Sequence, residues 1–493
     1  MTGQPHSNGS VQLTETTTSS SPVARAATTG VWALFSLSLA TAAAVGWGGH
    51  EWHFPGVVVD GLTAVVWTVV TFFSGIVHSY SRRYMAGDAR FDRFFGRTFA
   101  FTLAVMVMAA ADHVALFVAA WLGMGLAMAS LVGHVRGWDQ ARAAGSLARR
   151  YFVASSAALG ATLALLAWAT GTSAVSGIVA RTGRLSPETT WLALGGLFLV
   201  AMIQSALFPF HEWLLSSMTA PTPASALMHA GFVNAGGILL TRFAPIVVDA
   251  SIAMSVLVVV GASSAVLGQA LALVRPDVKR TLGASTVAQM GFMILQCGLG
   301  FFAAAITHLA LHGCYKAYLF LSSGGAVERT APADSDRTDP GPWGVVVGLA
   351  TAVGGGALFV AITGKGATLD SGVLLVLVVV LTTLHATREV LARPGAPTRL
   401  ELVGLPLVVF VPIAVYGFLF NAVSTLLADV PRTSAPTELT VVHVAVGALF
   451  VGSYLAVEFG WHRSSERLYV ALLNLSRPAP ATVLTTKEEY DDV

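Results

Sequence analysis

The chain is 493 residues long, 55% hydrophobic and only 11% charged, with 28 Lys and Arg against 26 Asp and Glu. Soluble globular proteins carry about a quarter charged residues, so this composition excludes most water-soluble folds. A net charge of +2 gives no reason to expect nucleic acid or a strongly acidic partner, and the two cysteines, Cys297 and Cys314, both fall in apolar runs, which excludes a disulfide framework or a cysteine-built metal site.

In chain order, residues 1–28 are rich in Ser, Thr, Gly and Gln, with Glu15 and Arg25 as their charged side chains, and read as a disordered cytoplasmic tail. Fourteen apolar runs follow, centred on 30–47, 58–79, 97–111, 114–133, 151–170, 189–208, 223–241, 251–274, 281–300, 302–325, 343–364, 371–388, 401–425 and 438–459. Runs of this length predict an all-α integral membrane protein of about 14 transmembrane helices. The short alternating segments of a membrane barrel are not seen. With the N-terminus inside, 22 of the 28 Lys and Arg fall in inner segments, five (Arg181, Arg184, Arg242, Lys365, Arg432) in outer ones, and Lys316 alone within a span. That asymmetry predicts a multi-pass protein of the bacterial plasma membrane with both termini cytoplasmic. After the last run come an expected interfacial helix from Ser465 to Leu475 and an acidic tail, Glu488 to Asp492. The inner segments 80–97, 134–150 and 326–342 are the exposed candidates for partner contacts.

Ionisable residues inside a membrane are costly and default to a functional reading. Asp112-His113 stand at a short turn before the fourth run, where a helix cap or an interfacial contact is the plainer account of Asp112. In Phe208-Pro209-Phe210-His211-Glu212 a proline and two ionisable groups interrupt an apolar run, and such a broken helix frees backbone groups of the kind that line ion pathways. His229 sits in Ser225-Ala226-Leu227-Met228-His229-Ala230, where it either bridges helices by a hydrogen bond or relays protons. His308, His312 and Lys316 follow at i, i+4 spacing and project from one helix face. Imidazoles that titrate near neutrality beside a tunable amine form a stripe suited to proton relay. His308 and His312 could also form a metal pair, but no third ligand follows at a recognisable spacing. Lys279, beside Arg280, serves either the path or topology, and His78 and Asp88 flank another inner segment in the same position.

The order His78-Ser79-Tyr80-Ser81, Tyr84-Met85, Asp88, Arg93-Phe94-Phe95, then Pro221-Thr222-Pro223, Ser225-Ala226-Leu227, His229-Ala230, Asp277, Lys279-Arg280, Ser285-Thr286, Gln289 and the run from His308 to Gly324 resembles the proton-conducting membrane subunits shared by respiratory complex I and Mrp-type antiporters. The likeness is continuous from about Asp60 to Gly324. It implies two inverted five-helix repeats with broken helices, here 113–241 and 251–388, between N-terminal helices at 29–112 and C-terminal helices at 400–460, with an interfacial helix and tail at 461–493. The breaks are expected near Pro209 and near Thr363-Gly364-Lys365, which leaves open whether Lys365 joins the path. Pumping relatives carry a glutamate directly after a tryptophan in the fourth run and a lysine just before the first break. This chain has Leu122 and Gln204 there, which argues against an ordinary antiporter-like pump.

The stretch Ser225 to Gly237, continuing to Arg242-Phe243-Ala244-Pro245, is most similar to the membrane subunits of DAB-type inorganic carbon accumulation complexes. That resemblance implies a two-component, proton-driven transporter with no cofactor in this chain. Catalysis and zinc would belong to a large soluble partner of the DabA type, resembling a β-carbonic anhydrase. The expected proton path is lined by His229, Lys279, His308, His312 and Lys316, with Asp112 and His211 as lesser candidates. The alternatives are a cation/proton antiporter subunit and a non-conducting membrane anchor.

Overall fold

The computed structural model describes residues 21–325, 341–391 and 399–483. Most of the 326–342 segment, the acidic C-terminal tail and the first twenty residues lie outside these. Every one of the fourteen apolar runs is a helix. They are α1 (Pro22–Gly48), α2 (Gly61–Tyr84), α3 (Phe91–Ala110), α4 (Val114–Val132), α5 (Asp139–Thr170), α6 (Pro187–Gln204), α7 (Thr222–Arg242, with a tight turn at Phe232–Asn234), α8 (Ser251–Leu273), α9 (Val278–Gly298), α10 (Phe302–Ser322), α11 (Gly341–Thr363), α12 (Gly372–Leu391), α13 (Arg399–Leu426) and α14 (Val441–Glu458). Among the described residues eleven are long and apolar enough to cross a bilayer. The three that fall short are α6, α9 and α10, and the last two carry Gln289, Gln296, His308, His312 and Lys316. Polar side chains thus lower the apolar signal of the helices that hold the candidate path.

Several boundaries differ from expectation for local reasons. Within the expected 1–28 tail, residues 22–28 already belong to α1, because Ser21 accepts from Val23 N at 3.1 Å and Pro22 opens the helix. The inner segment 134–150 is mostly helix, since α5 starts at Asp139. A further helix, α15 (Glu466–Leu475), occupies the 465–475 stretch.

Contacts sort the helix ends into two groups. At one end a small hairpin, β1 (Trp52–Phe54) against β2 (Val57–Val59), meets the starts of α2 and α4 and the ends of α3 and α7. At the other, α15 lies against the α6–α7 connection and the α8–α9 turn. The long helices run alternately between these ends.

Two features fix the interior. Gly261 and Gly268 of α8 face Gly291 and Gly298 of α9, and a Cβ on Gly268 or Gly291 would stand 2.3 or 2.4 Å from a backbone nitrogen of the opposite helix. Only hydrogen at these positions lets the backbones meet, a membrane packing mode that needs no hydrophobic drive. At the hairpin end, Arg242 at the end of α7 pairs with Asp60, the N-cap of α2. The guanidinium also reaches Ala109 O at 3.0 Å, while Asp60 accepts from Thr63 N at 2.9 Å. Burial by itself would raise the Asp60 pKa, but Arg242 and Thr63 hold it below the ordinary 3.8.

Removing one partner of a buried pair leaves a bare charge and costs about 3–5 kcal/mol. Arg242→Ala should therefore lower the thermal unfolding temperature in detergent far more than the exposed Arg432→Ala, whose partner Asp249 is also exposed. Because the Asp60 pKa is depressed, the stability from its pair is present above the unfolded value and is lost as pH falls through the folded one. The gap between wild type and Arg242→Ala should accordingly persist at neutral pH and narrow only in strong acid.

Candidate functional site

The helix that carries the stripe, α10, lies against α9 and α7, and Gly313 lets it do so. A Cβ there would stand 2.2 Å from the Phe73 ring and 2.9 Å from Ala230 O. Lys316 is fully buried, and its Nζ donates to Leu282 O at 2.9 Å and to Ser285 Oγ, both on α9. One turn along α9, Thr286 Oγ1 donates to the same Leu282 O at 2.8 Å and lies 3.0 Å from His229 Nδ1. With its proton committed to the carbonyl, the threonine oxygen accepts from His229 Nδ1–H, which leaves Nε2 as the basic nitrogen. The Phe320 ring stacks on that imidazole at 4.4 Å. One carbonyl and one hydroxyl thus connect Lys316 with His229.

The other two histidines continue the same face. His308 and His312 are stacked, with centroids 5.6 Å apart and planes 12° apart, and Phe292 lies edge-on to His308 at 5.5 Å. Among the described residues neither nitrogen of His312 nor Nε2 of His308 has a hydrogen-bond partner. His308 opens onto a cavity of about 450 Å³ between α8, α9, α11, α12 and α13. At the opposite end of the stripe, Lys279 Nζ donates to Ala220 O at 3.3 Å. Lys316 and His229 are thus linked through α9, His308 and His312 are stacked on α10, and Lys279 stands at the start of α9.

The lesser candidates fall elsewhere. Asp112 accepts from Ser176 N at 2.7 Å and Ser176 Oγ at 2.9 Å at the hairpin end, so it holds the short helix Val175–Ala180, 64 positions away, and not the start of α4. His211 lies in the helix break, with Nε2 3.3 Å from Leu475 O of α15. The break itself is built between Gln204, where α6 ends, and Glu212, where a five-residue helix begins. Three of its hydrogen bonds are made from within: Ser205 Oγ donates to Val233 O, Trp213 Nε1 to Ile203 O and Phe208 N to Ser264 Oγ. The second expected interruption is a helix end, with α11 stopping at Thr363 and Gly364 turning the chain at φ +71. Lys365 follows, its Nζ 3.0 Å from the Phe420 ring centroid and 5.5 Å from that of Tyr416. Of the two departures, Gln204 is buried and Leu122 is half-buried.

Sequence reading missed three groups. The Asp60–Arg242 pair joins residues 182 positions apart, and only the presence of both charges near span ends hinted at it. The aromatic surround of Lys365 draws on three separate helices. His134, at the start of the inner segment expected to be exposed, is buried 3.3 Å from Asp88 with Phe94 edge-on to its ring, and burial pushes its pKa below the ordinary value although Asp88 opposes the shift.

Comparison with known proteins agrees with this architecture. Residues 111–338 match the membrane family described as NADH:quinone oxidoreductase/Mrp antiporter, and residues 55–95 match the N-terminal family of complex I chain 5. A probable inorganic carbon transporter subunit DabB of Bacillus subtilis is 33% identical over 88% of this chain and 84% of that protein. The DabB of Bacillus anthracis is 36% identical over 66% of this chain and 63% of its own length, and DabB1 of Halothiobacillus neapolitanus is 35% identical over 59% and 54%. The chain thus spans less than two thirds of the length of these last two relatives. Among solved structures, the Mrp complex from Dietzia shares the fold at a TM-score of 0.64 and 22% identity, covering 92% of this chain and 57% of that one.

Thr286→Val should leave His229 Nδ1 buried without an acceptor and lower stability by about 1–3 kcal/mol. Ser285→Ala should cost less, because Lys316 keeps Leu282 O. Thermal unfolding of the purified variants checks the order. His211→Ala should loosen α15, read as faster limited proteolysis within residues 466–483.

Proposed function

Since this chain belongs to the family of DabB inorganic carbon transporter subunits, within the membrane subunits shared by complex I and Mrp antiporters, we propose that it is the energy-coupling subunit of a two-component inorganic carbon accumulation system. In this reading it lies in the bacterial plasma membrane with both termini cytoplasmic. It passes protons inward and drives a soluble, zinc-bearing, carbonic-anhydrase-like partner that makes bicarbonate from CO₂. The observation that carries the proposal is the buried link from Lys316 through Leu282, Ser285 and Thr286 to His229, with the stacked His312 and His308 on the same helix as Lys316. A membrane anchor has no need to bury an ammonium and three imidazoles in helices whose apolar character suffers for it.

In the proposed mechanism His229 takes a proton on Nε2 while Nδ1–H stays held by Thr286. The Lys316 ammonium stands one carbonyl away, so its charge opposes that protonation and favours onward release. His312 and His308, four residues apart and stacked, are the next acceptors. No intermediate hydrogen bond joins them to Lys316 among the described residues, so a side-chain rotation is part of the passage. The neutral Leu122 and Gln204 remove the acid and base with which pumping relatives are thought to drive their first repeat, and they favour this reading over a cation/proton antiporter. Through the break at 205–211, held to α15 by His211, movement in these residues reaches the end where the partner would dock.

Labelled inorganic carbon uptake in carbonic-anhydrase-deficient cells that co-express the chain and its soluble partner tests this. Accumulation should need both proteins, collapse with an uncoupler, and be lost in Lys316→Ala at normal membrane levels. Retained uptake in that variant would remove Lys316 from the mechanism, and no uptake by an assembled wild-type pair would overturn the function.

A further inference from the structure

Four arginines meet at the end of the bundle away from the hairpin, and the chain gives them little to bind. Arg90 precedes α3, Arg93 and Arg97 lie in its first two turns, and Arg136 lies in the α4–α5 turn. Arg90, Arg93 and Arg136 stand near enough to the half-buried Arg97 for their charges to oppose its own. Arg90 Nη1 donates to His134 O at 3.3 Å and Arg97 Nη1 to Ser130 O at 3.1 Å. The Arg93 and Arg136 side chains are exposed and make no hydrogen bond or ion pair among the described residues. A guanidinium has five N–H donors, so most of this set is unused. The neighbouring carboxylates are largely committed. Asp88 accepts from Arg90 N at 2.7 Å and lies 3.3 Å from His134 Nε2, and Asp139 pairs with Arg142, which leaves the exposed Asp92. The start of α3 adds to the positive field, because a helix N-terminus itself carries partial positive charge and favours anions. Topology asks only that basic residues flank a span. It does not ask four of them to meet around one guanidinium.

What lies beyond the cluster names the class of ligand. From Arg97 and Ser130 the seam between α3 and α4 continues along small side chains, Ala100 and Ala104 on α3 and Ala119 and Gly123 on α4. Ala100 and Ala119 are exposed, and Ala104 and Gly123 are half-buried. A Cβ on Gly123 would meet only Ala104 Cβ, at 3.9 Å, and one on the exposed Gly96 would meet nothing within 4 Å. Leu103 and Leu126 flank the seam, each 39% exposed. Both helices are long and apolar enough to cross a bilayer, so this is a shallow apolar groove that faces acyl chains and ends at four cations. Trp138, exposed just past Arg136, stands where tryptophans mark the membrane–water interface. Phosphodiester oxygens accept from guanidinia through charge-assisted hydrogen bonds. A free phosphate or an acidic protein would use the arginines and leave the groove empty, whereas an anionic phospholipid uses both.

We propose that the α3–α4 groove binds an anionic phospholipid, its phosphodiester held by Arg93, Arg97 and Arg136 and an acyl chain laid along Ala100, Ala104 and Gly123. The argument stands apart from the transport function proposed above. It makes the stability of this end of the bundle depend on the acidic lipid content of the membrane.

Native mass spectrometry of the delipidated full chain, given phosphatidylglycerol or phosphatidylcholine with identical acyl chains, reads the site. Phosphatidylglycerol should be retained at concentrations where phosphatidylcholine is not, and inorganic phosphate at equal concentration should not displace it. Each basic side chain near an anionic headgroup is worth about a fivefold change in affinity, so Arg93→Gln/Arg136→Gln, which removes two charges, should weaken retention about thirtyfold. Gly123→Leu should weaken it too, by filling the groove with all four charges in place. Thermal unfolding confirms that each variant is folded, and Gly96→Leu replaces Gly123→Leu if the latter is unstable. Equal retention of the two lipids, displacement by inorganic phosphate, or unchanged retention in the folded double variant would each overturn the site. Binding that is lost with the charges but survives a filled groove would also overturn it, and would point to a headgroup-sized anion or an acidic protein surface instead.

Discussion

The hydrogen bonds of one buried ammonium organise the centre of this molecule. Lys316 reaches Leu282 O and Ser285 Oγ, and an amine without those acceptors could not stay charged at such depth. Both acceptors lie on α9, so the position of α9 sets the electrostatics of the site. That position is set by glycine contacts with α8, where backbone meets backbone with no side chain between. Gly313 performs the matching task on α10. The polar centre is therefore as well placed as the tightest packing in the protein, and small residues rather than large ones supply that precision.

The two ends of the bundle restrain this centre differently. At the hairpin end a buried ion pair ties α7 to α2, and Asp429 Oδ2 accepts from Gly61 N at 2.9 Å beside it. At the other end the ties are single hydrogen bonds: His211 to Leu475 O, Arg275 to Leu473 O at 3.4 Å, and Ala479 N to Ser216 Oγ at 3.0 Å. Free energy of local opening follows such differences. The α15 end is the softer one, and it is also where the helix break emerges.

Much of this was legible in the sequence. The apolar runs all fall on helices, and eleven of these among the described residues are long and apolar enough to cross a bilayer, because a bilayer demands some twenty apolar residues whatever the tertiary contacts. The stripe of His308, His312 and Lys316 could be read from i, i+4 spacing, and the break near Pro209 from a proline among ionisable groups. Partners across the fold were not legible. Nothing in the local sequence of Asp112 separates a cap for Val175–Ala180 from a relay group, since Ser176 is 64 positions away. Thr286 was visible as part of a motif, but its link to His229 spans 57 positions. Ser21-Pro22, by contrast, is a local capping signal that a reading centred on apolar runs passed over.

The departures at Leu122 and Gln204 gain meaning from the structure. A buried Gln204 beside the break keeps a polar neutral side chain where relatives place a lysine, and half-buried Leu122 offers no counter-charge. Neither position then places a charge ahead of the break, whereas α9 and α10 carry Lys279, Lys316, His308 and His312. Such a division suits coupling to a partner better than exchange of two cations, because exchange needs a charged site in each half that alternates with the other. On the reading proposed here, the state of Lys316 and the histidines reaches the partner through a break already bonded to α15 at His211.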